Sequence, residues 1–244
     1  MNYFYIISDT TDPYWNLAME EALFEYADEE TTILFLWQND HTIVIGRNQD
    51  AYIECKVDQF LADGGQLARR RSGGGAVYHD LGNLNFSIIC LEAAAKKTEY
   101  QQLVAKTLEY FGLEVLFNGR NDLLVFDKKF SGNAFYTNGR ILCQHGTILV
   151  NTDIKKMDCY LTPNEEKLNR NYVKSVASRV VNLSSFSPEL TVEKIQQAMI
   201  YTAKAKVLQA KLDKKKVNTL LTFYKGEKWI FQGMSDQIIA AKNM

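Results

Sequence analysis

The sequence predicts an α+β fold: a mixed, mostly antiparallel sheet flanked by helices. Short β-branched and aromatic runs recur at 3–7, 31–37, 43–46, 84–90, 123–126, 129–135 and 141–150, the composition of strands. Asn138-Gly139 lies between the last two, and Asn-Gly between apolar runs signals a tight hairpin and antiparallel pairing. Residues 13–26 and 98–111 instead repeat apolar side chains at helical spacing.

The chain has 244 residues, 46% hydrophobic and 23% charged, enough to bury a sizeable core. A net charge of −1 argues against a generic nucleic-acid binder, whose affinity rests on many phosphate contacts. The N-terminus has no basic segment leading into an apolar run, and no 18-residue apolar stretch occurs elsewhere. Neither a signal peptide nor a membrane span is therefore expected, and the expected location is cytoplasmic. Cys55, Cys90, Cys143 and Cys159 are widely spaced, with no Cys-x-x-Cys, which suits free thiols. Three prolines and no Ser/Gly tract leave no linker, so residues 1–244 read as a single domain.

Residues 3–7 form the first strand. Asp12-Pro13 supplies an N-cap and a proline for the first turn of a helix. Trp15, Ala18, Met19, Ala22, Leu23 and Tyr26 make its apolar face. Glu20 and Glu21 fall off that stripe, and at least one is expected on a solvated face. Residues 31–37 read as a buried strand, Asn39-Asp40 as a turn, and Ile43–Gly46 as the partner strand. A short helix over 56–63 stops at Gly64-Gly65, and Gln66-Leu67-Ala68 leads by a strand into a glycine-rich stretch. The strand at 84–90 follows, then the helix at 98–111 and a short strand at 114–117. A loop at 119–122 precedes strands at 123–126, 129–135 and 141–150. The remainder is more helical. Short helices are expected at 153–160 and 163–170, and Thr191 caps a helix running to about residue 210. Lys211–Lys216 reads as a solvated charged segment, and 228–231 as a last strand.

The chemistry concentrates at Arg69-Arg70-Arg71-Ser72-Gly73-Gly74-Gly75-Ala76-Val77-Tyr78-His79-Asp80-Leu81-Gly82-Asn83. Consecutive glycines free the backbone to take φ > 0 and bring its N–H groups close to a ligand. The neighbouring arginines offer bidentate donors for phosphate or carboxylate. A tight turn beside a solvated basic cluster is the plain alternative. Two further segments carry cations beside glycine: Gly119-Arg120-Asn121-Asp122 and Lys129-Phe130-Ser131-Gly132-Asn133-Ala134. A lysine within an apolar strand is costly unless it is partnered. With a facing His145-Gly146-Thr147 strand, Lys129 is the preferred functional cation. There is no P-loop, no Gly-x-Gly-x-x-Gly and no His-Glu-x-x-His. The pattern suits nucleotidyl or acyl transfer, with an anionic group held by backbone amides, Arg and Lys.

At this point the sequence resembles the lipoate–protein ligase family. Residues 70–83 match that family's glycine-rich signature. Gly119–Leu123, Lys129–Ala134 and His145–Leu149 match three further blocks, and Asn16–Glu21 and Ser175–Leu183 also match. The match runs in order from about residue 5 to about residue 200. The resemblance implies the catalytic-domain fold shared by biotin and lipoate ligases, and a two-step reaction. Lipoate and ATP with Mg2+ form lipoyl-AMP, and the lipoyl group then passes to a lysine on a lipoyl domain. Acceptors of that kind are the E2 subunits of 2-oxoacid dehydrogenases and the glycine-cleavage H protein. Lys129 falls on the family's essential lysine. Binding is then expected from Arg70, Ser72, Gly73, Gly74, Gly75, Ala76, Val77, Tyr78, His79 and Asn83. Asn121, Asp122, Ser131, Gly132, Ala134, His145, Gly146 and Thr147 are expected to join them, with Asp122 helping to place Mg2+ or orient Lys129. Trp37 is expected in the wall of a tunnel for the aliphatic chain.

Bacterial ligases of this family usually carry a smaller C-terminal domain tied to adenylate formation, in some members as a separate chain. Here residues 185–244 read as a helical extension with no room for it, so a partner chain for the first step is one expectation. The sequence leaves two other readings. An ATP-independent lipoyl or octanoyl amidotransferase would act through a cysteine thioester, but such relatives place the cysteine in the loop that here reads Gly119-Arg120-Asn121-Asp122. A non-catalytic lipoyl-domain-binding module would show a broken glycine stretch or a missing lysine, and both are intact.

Overall fold

The computed structural model describes residues 2–95, 97–119, 121–162 and 180–232. The strands in chain order are β1 (Asn2–Ile7), β2 (Thr31–Trp37), β3 (Thr42–Ile45), β4 (Gln66–Arg69), β5 (Val77–His79) and β6 (Asn83–Leu91). They continue with β7 (Leu116–Asn118), β8 (Asp122–Val125), β9 (Lys128–Thr137), β10 (Ile141–Leu149) and β11 (Lys206–Val207). The helices are α1 (Pro13–Ala22), α2 (Ala51–Glu54), α3 (Val57–Ala62), α4 (Lys97–Glu109), α5 (Ile154–Tyr160), α6 (Val192–Ala203), α7 (Lys214–Lys225) and α8 (Glu227–Ile230).

The main sheet has eight strands in the order β11-β1-β2-β6-β10-β9-β8-β7. The pairs β11–β1 and β1–β2 are parallel, and the other pairs are antiparallel. On β2 the odd positions Ile33, Phe35 and Trp37 pack with Leu17, Ala18 and Leu23 from the α1 side. The even positions Leu34 and Leu36 join a second core with Tyr100, Val104 and Leu108 of α4 and Ile195 and Met199 of α6. Both faces are covered, which is why β2 reads as a continuous apolar run rather than an alternating one.

Three local expectations change. Ile43–Ile45 does not pair with β2 but lies at the centre of a separate three-stranded sheet, β4-β3-β5. Periodicity identified the strand but carries no information about its partner. Thr191 does cap α6, through a hydrogen bond from the Lys194 N–H, but the helix ends at Ala203, where Lys204 turns left-handed at φ 50°. The charged segment 211–216 is largely exposed, as expected, and its residues 214–216 open α7, capped by Asp213. Residues 227–230 are helical, because Trp229 and Ile230 pack as a turn of helix against β4 rather than pairing with a strand. The helix expected at 163–170 lies outside the described residues, as do Arg120 and Ser175–Arg179.

Candidate active site

One face of the main sheet collects the site through strand register. Trp37 on β2 stands opposite Asn85 on β6, which stands opposite Thr147 on β10. The Thr147 hydroxyl accepts the Gly132 N–H at 3.4 Å, and Gly132 on β9 stands opposite Asp122 on β8. One row further along lie Phe35, Ser87, His145 and Ala134. The small sheet and the glycine stretch cover this face, and a cavity of about 230 Å³ lies between them.

The main-sheet wall of the cavity comprises Trp37, Asn85, Asn121, Asp122, Lys129, Gly132, Asn133, Ala134, His145, Gly146 and Thr147. The opposite wall comprises Val44, Arg70, Gly74, Gly75, Ala76, Val77 and His79, with Leu17 from α1. Five expected residues do not line it. Ser72 and Gly73 sit behind the wall as hydrogen-bond partners of Arg70. Tyr78, on the alternate side of β5, is buried in the small sheet's core with Phe60 and Tyr160. Asn83 is buried and donates to Asn85 Oδ1 at 3.0 Å. Ser131 is buried opposite Leu123, which belongs to the α4 side of the sheet.

Lys129 reaches the cavity because of a local irregularity. Simple alternation from Ala134 and Gly132 would put residue 130 on the cavity face. The β8–β9 register shifts between Leu123 and Leu124, and a bulge re-aims the side chains beyond it. Phe130 consequently enters the opposite core, and Lys129 faces the cavity. Its Nζ lies 2.9 Å from Asp122 Oδ1, with both side chains about one-third exposed. A Cβ on Gly132 would stand 3.2 Å from Lys129 Nζ, so the missing side chain leaves the lysine its room.

Arg70 behaves differently from expectation. Its guanidinium donates to Ser72 Oγ, Val44 O, Gly73 O and Gly75 O at 2.7–3.0 Å. The residue is buried, and burial pulls its pKa down to about 10 despite the opposing pull of Glu20. Arg70 is thus the internal brace of the glycine stretch rather than a free anion receptor. Gly74 takes φ +97°, and a Cβ there would meet Arg70 Nη2 at 2.9 Å. A Cβ on Gly46 would meet Gly74 O at 2.3 Å. Gly46 needs glycine because backbone passes against backbone there, and Gly74 because its φ is positive and the Arg70 guanidinium fills the space beside it.

Glu20 is buried rather than solvated. His145 Nδ1 lies 2.9 Å from Glu20 Oε1, and His145 Nε2 lies 2.6 Å from Ser72 Oγ. Ser87 donates to the same Glu20 oxygen, and Trp37 Nε1 donates to Ser87 Oγ at 3.0 Å. Burial raises the Glu20 carboxyl, but His145, Ser87 and Cys143 outweigh it and hold the pKa below the ordinary value. Glu20, Cys143 and His145 bring their ligand atoms together, and these contacts are hydrogen bonds centred on one carboxylate. Glu21 is half-buried and pairs with Arg71. The helical stripe ignored both glutamates, because their partners lie far away in sequence.

His79 accepts from Asn39 Nδ2 at 3.1 Å through Nδ1, so its proton sits on Nε2. That nitrogen and Asn85 Nδ2 are buried and have no hydrogen-bond partner among the described residues. Both residues line the cavity. Burial, then the charges of Arg70 and His145, pushes His79 down to about 3, so it stays neutral. Cys55, Cys90 and Cys143 are buried free thiols, Cys159 is exposed, and none lines the cavity. Burial and then Glu20 raise the Cys143 thiol well above its ordinary value.

Residues 12–204 match the family model described as lipoyl protein ligase A/B catalytic domain. The chain is 41% identical over 198 residues to lipoate-protein ligase A of Psychrobacter cryohalolentis, covering 79% of this chain and 57% of that protein. It is 39% identical over 211 residues to the Bdellovibrio bacteriovorus protein of the same name, covering 82% and 62%. The chain therefore spans less than two thirds of the length of these relatives. P. falciparum LipL1, in a crystal structure with lipoate, superposes with a TM-score of 0.82 at 29% identity over 96% of this chain and 75% of that one. A bipartite lipoate protein ligase from Thermoplasma acidophilum gives 0.79 at 25% identity, over 96% and 97%. The fold is that of lipoate ligase catalytic domains, with the mixed, mostly antiparallel sheet expected from the sequence. The match over residues 12–204 shows that the chain belongs to the lipoyl protein ligase A/B catalytic-domain family.

Proposed function

We propose that this chain is a lipoate–protein ligase catalytic unit: it forms lipoyl-AMP from lipoate and ATP and passes the lipoyl group to an acceptor lysine. The observation that carries this reading is Lys129, paired with Asp122 at 2.9 Å in the wall of a cavity whose other wall is the glycine stretch. In the first step a carboxylate oxygen attacks the α-phosphorus and pyrophosphate leaves. In the second an acceptor amine attacks the acyl carbon, a C–N bond forms, AMP leaves with the C–O electron pair, and the amine releases a proton.

Lys129 Nζ is the charge that meets the acyl and phosphate oxygens where negative charge builds. The amides of the glycine stretch share that anion. The Trp37 and Leu17 side chains give the apolar wall against which an aliphatic chain packs. His79 Nε2–H and Asn85 Nδ2–H bring buried donors, which are costly unless a ligand acceptor meets them. Asp122 offers one carboxylate at the rim. That suits Mg2+, which takes few protein ligands and shares phosphate oxygens, and the ion would neutralise phosphate charge. Ser72 and Gly73 act behind the wall, and Tyr78, Asn83 and Ser131 serve packing rather than contact.

The acceptors in this reading are lipoyl domains of 2-oxoacid dehydrogenase E2 subunits or the glycine-cleavage H protein, and the compartment is the cytoplasm. No helix among the described residues is long and apolar enough to cross a membrane. A second reading, that activation needs a separate accessory chain, draws support from the near-complete match to the Thermoplasma acidophilum protein, whose structure is described as part of a bipartite ligase with its E2 lipoyl domain. The thioester route loses support, since Cys143 is buried outside the cavity with its thiol held protonated. Lipoate-dependent exchange of labelled pyrophosphate into ATP tests the first step. Exchange by the purified chain supports a complete ligase. Its absence, with exchange restored by an added accessory domain, supports the bipartite reading.

A further inference from the structure

The arginines on either side of Arg70 point away from the cavity. Along an extended segment, Arg69 and Arg71 share one face and Arg70 takes the other. Arg69 is fully buried. Its Nε and Nη2 donate to Ile230 O at 2.9 and 2.6 Å, at the end of α8. Its Nη1 donates to Gly46 O, Arg47 O and Gln49 O at 2.7–3.0 Å. One guanidinium therefore joins α8 to the 46–49 turn. That turn is in contact with the glycine stretch, since the Arg47 N–H donates to Ser72 O at 2.9 Å and Gly46 abuts Gly74.

Arg71 makes the second joint. Its Nε and Nη2 donate to the two oxygens of Glu21 on α1, at 3.0 and 3.1 Å. The guanidinium lies 4.3 Å from the Phe223 ring centroid and 5.2 Å from that of Trp229. Tyr224 donates to Glu21 Oε2 at 2.6 Å, and Trp229 Nε1 donates to Arg69 O at 2.9 Å. A bidentate, half-buried ion pair with aromatic cover is the kind that Lys cannot replace. Burial lowers the Arg71 pKa, but the hydrogen bond and charge of Glu21 reverse this and raise it overall.

We propose that α7 and α8 act as a clamp on the glycine stretch, with Arg71, Tyr224 and Trp229 as positioning residues for the adenylate. None of the three lines the cavity. They act by holding Arg69–Arg71 from outside, while Arg70 braces the stretch from inside. The stretch then presents its amides in one fixed shape and does not have to be ordered by the ligand. The proposal rests on the reading that this stretch holds the phosphate of lipoyl-AMP, and it extends that reading to helices beyond residue 204, where the family model stops.

The test uses the full chain with Arg71→Lys, Tyr224→Phe and Trp229→Phe. Two readouts are taken: amide hydrogen exchange at 72–75, and affinity for a non-hydrolysable sulfamoyl analogue of lipoyl-AMP compared with free lipoate. The clamp predicts about tenfold faster exchange at 72–75 in Arg71→Lys and Trp229→Phe, with β6 and β10 amides unchanged. It also predicts weaker analogue binding by about the same factor, with lipoate affinity nearly kept. Tyr224→Phe keeps the aromatic cover and loses one hydrogen bond, so it should fall between wild type and Arg71→Lys. Unchanged exchange at 72–75 in Arg71→Lys and Trp229→Phe would overturn the clamp. So would faster exchange spread equally over β6 and β10, which marks general loosening. If wild type binds no analogue, the adenylate reading fails, while the exchange data still decide whether the helices hold the stretch.

Discussion

His145 joins two segments far apart in sequence: Glu20 of α1 lies 2.9 Å from its Nδ1, and Ser72 of the glycine stretch lies 2.6 Å from its Nε2. The ring thus ties α1 to the glycine stretch through the central strand β10. Removing the Glu20 carboxylate leaves its buried hydrogen-bond partners His145 and Ser87 unsatisfied. Glu20→Ala should therefore cost about 3 kcal/mol in urea unfolding, against about 1 kcal/mol for Ser72→Ala, where Arg70 keeps its three carbonyl acceptors. Equal, small losses for both would show that the Glu20 network is not the support described.

Acid should loosen the fold through His79. Its folded pKa is about 3 against an ordinary value of 6.5, so between those values the unfolded chain binds a proton that the folded chain refuses. Stability is then fully present above about pH 6.5 and falls as pH drops, by about 1.5 kcal/mol between pH 6.5 and 5. Glu20, held below its ordinary value, adds to the loss only at lower pH, as it protonates. Urea midpoints measured from pH 5 to 7 check the slope, and His79→Gln should flatten it. A wild-type midpoint constant over that range would contradict a buried neutral imidazole.

Gly74→Val places a β-branched side chain at φ +97°, with its Cβ 2.9 Å from Arg70 Nη2. The backbone must shift where it approaches the ligand. Binding of the sulfamoyl analogue, measured by calorimetry, should fall by at least about 100-fold, equivalent to about 3 kcal/mol. Gly73→Ala, where an added Cβ meets nothing within 4 Å, should bind within a few-fold of wild type. Similar losses for both would argue that general disturbance, rather than the shape at Gly74, sets affinity.

Lys129→Ala removes a charge that is about one-third exposed and belongs to no core cluster. Melting temperature should change little, because an exposed ion pair contributes at most about 1 kcal/mol. Acyl transfer should fall by on the order of 100- to 1000-fold, the usual loss for one electrostatic stabiliser. Near-normal transfer would remove Lys129 from the chemistry.

Most strands and the main helices were legible because burial on one or two faces imposes a period on the sequence. The glycine stretch and Lys129 were legible because glycines beside cations have few plain uses. Pairing was legible only at the Asn138-Gly139 hairpin, which joins β9 to β10; nothing in Ile43–Ile45 says that its neighbours are β4 and β5 instead of β2. The aim of Lys129 was hidden by the bulge at Leu123/Leu124, which breaks the alternation a strand pattern assumes. Glu20 was hidden because helical spacing marks apolar faces and cannot register a carboxylate buried against a histidine 125 positions away. The roles of Arg69, Arg70 and Arg71 were hidden for a related reason. Three cations in a row suggest a phosphate site, yet their acceptors are mainly carbonyls and one glutamate that only the fold brings near.

The central claim is that this chain carries an acyl group from an adenylate to an acceptor lysine, and a mass-spectrometric acceptor assay tests it most directly. The purified chain is mixed with a lipoyl domain and given either lipoate with ATP and Mg2+ or synthetic lipoyl-AMP. A mass increase of one lipoyl group on the acceptor with lipoyl-AMP, lost in Lys129→Ala, is the predicted result, and the same increase with lipoate and ATP would add the activation step. An acceptor left unmodified under both conditions would contradict the account.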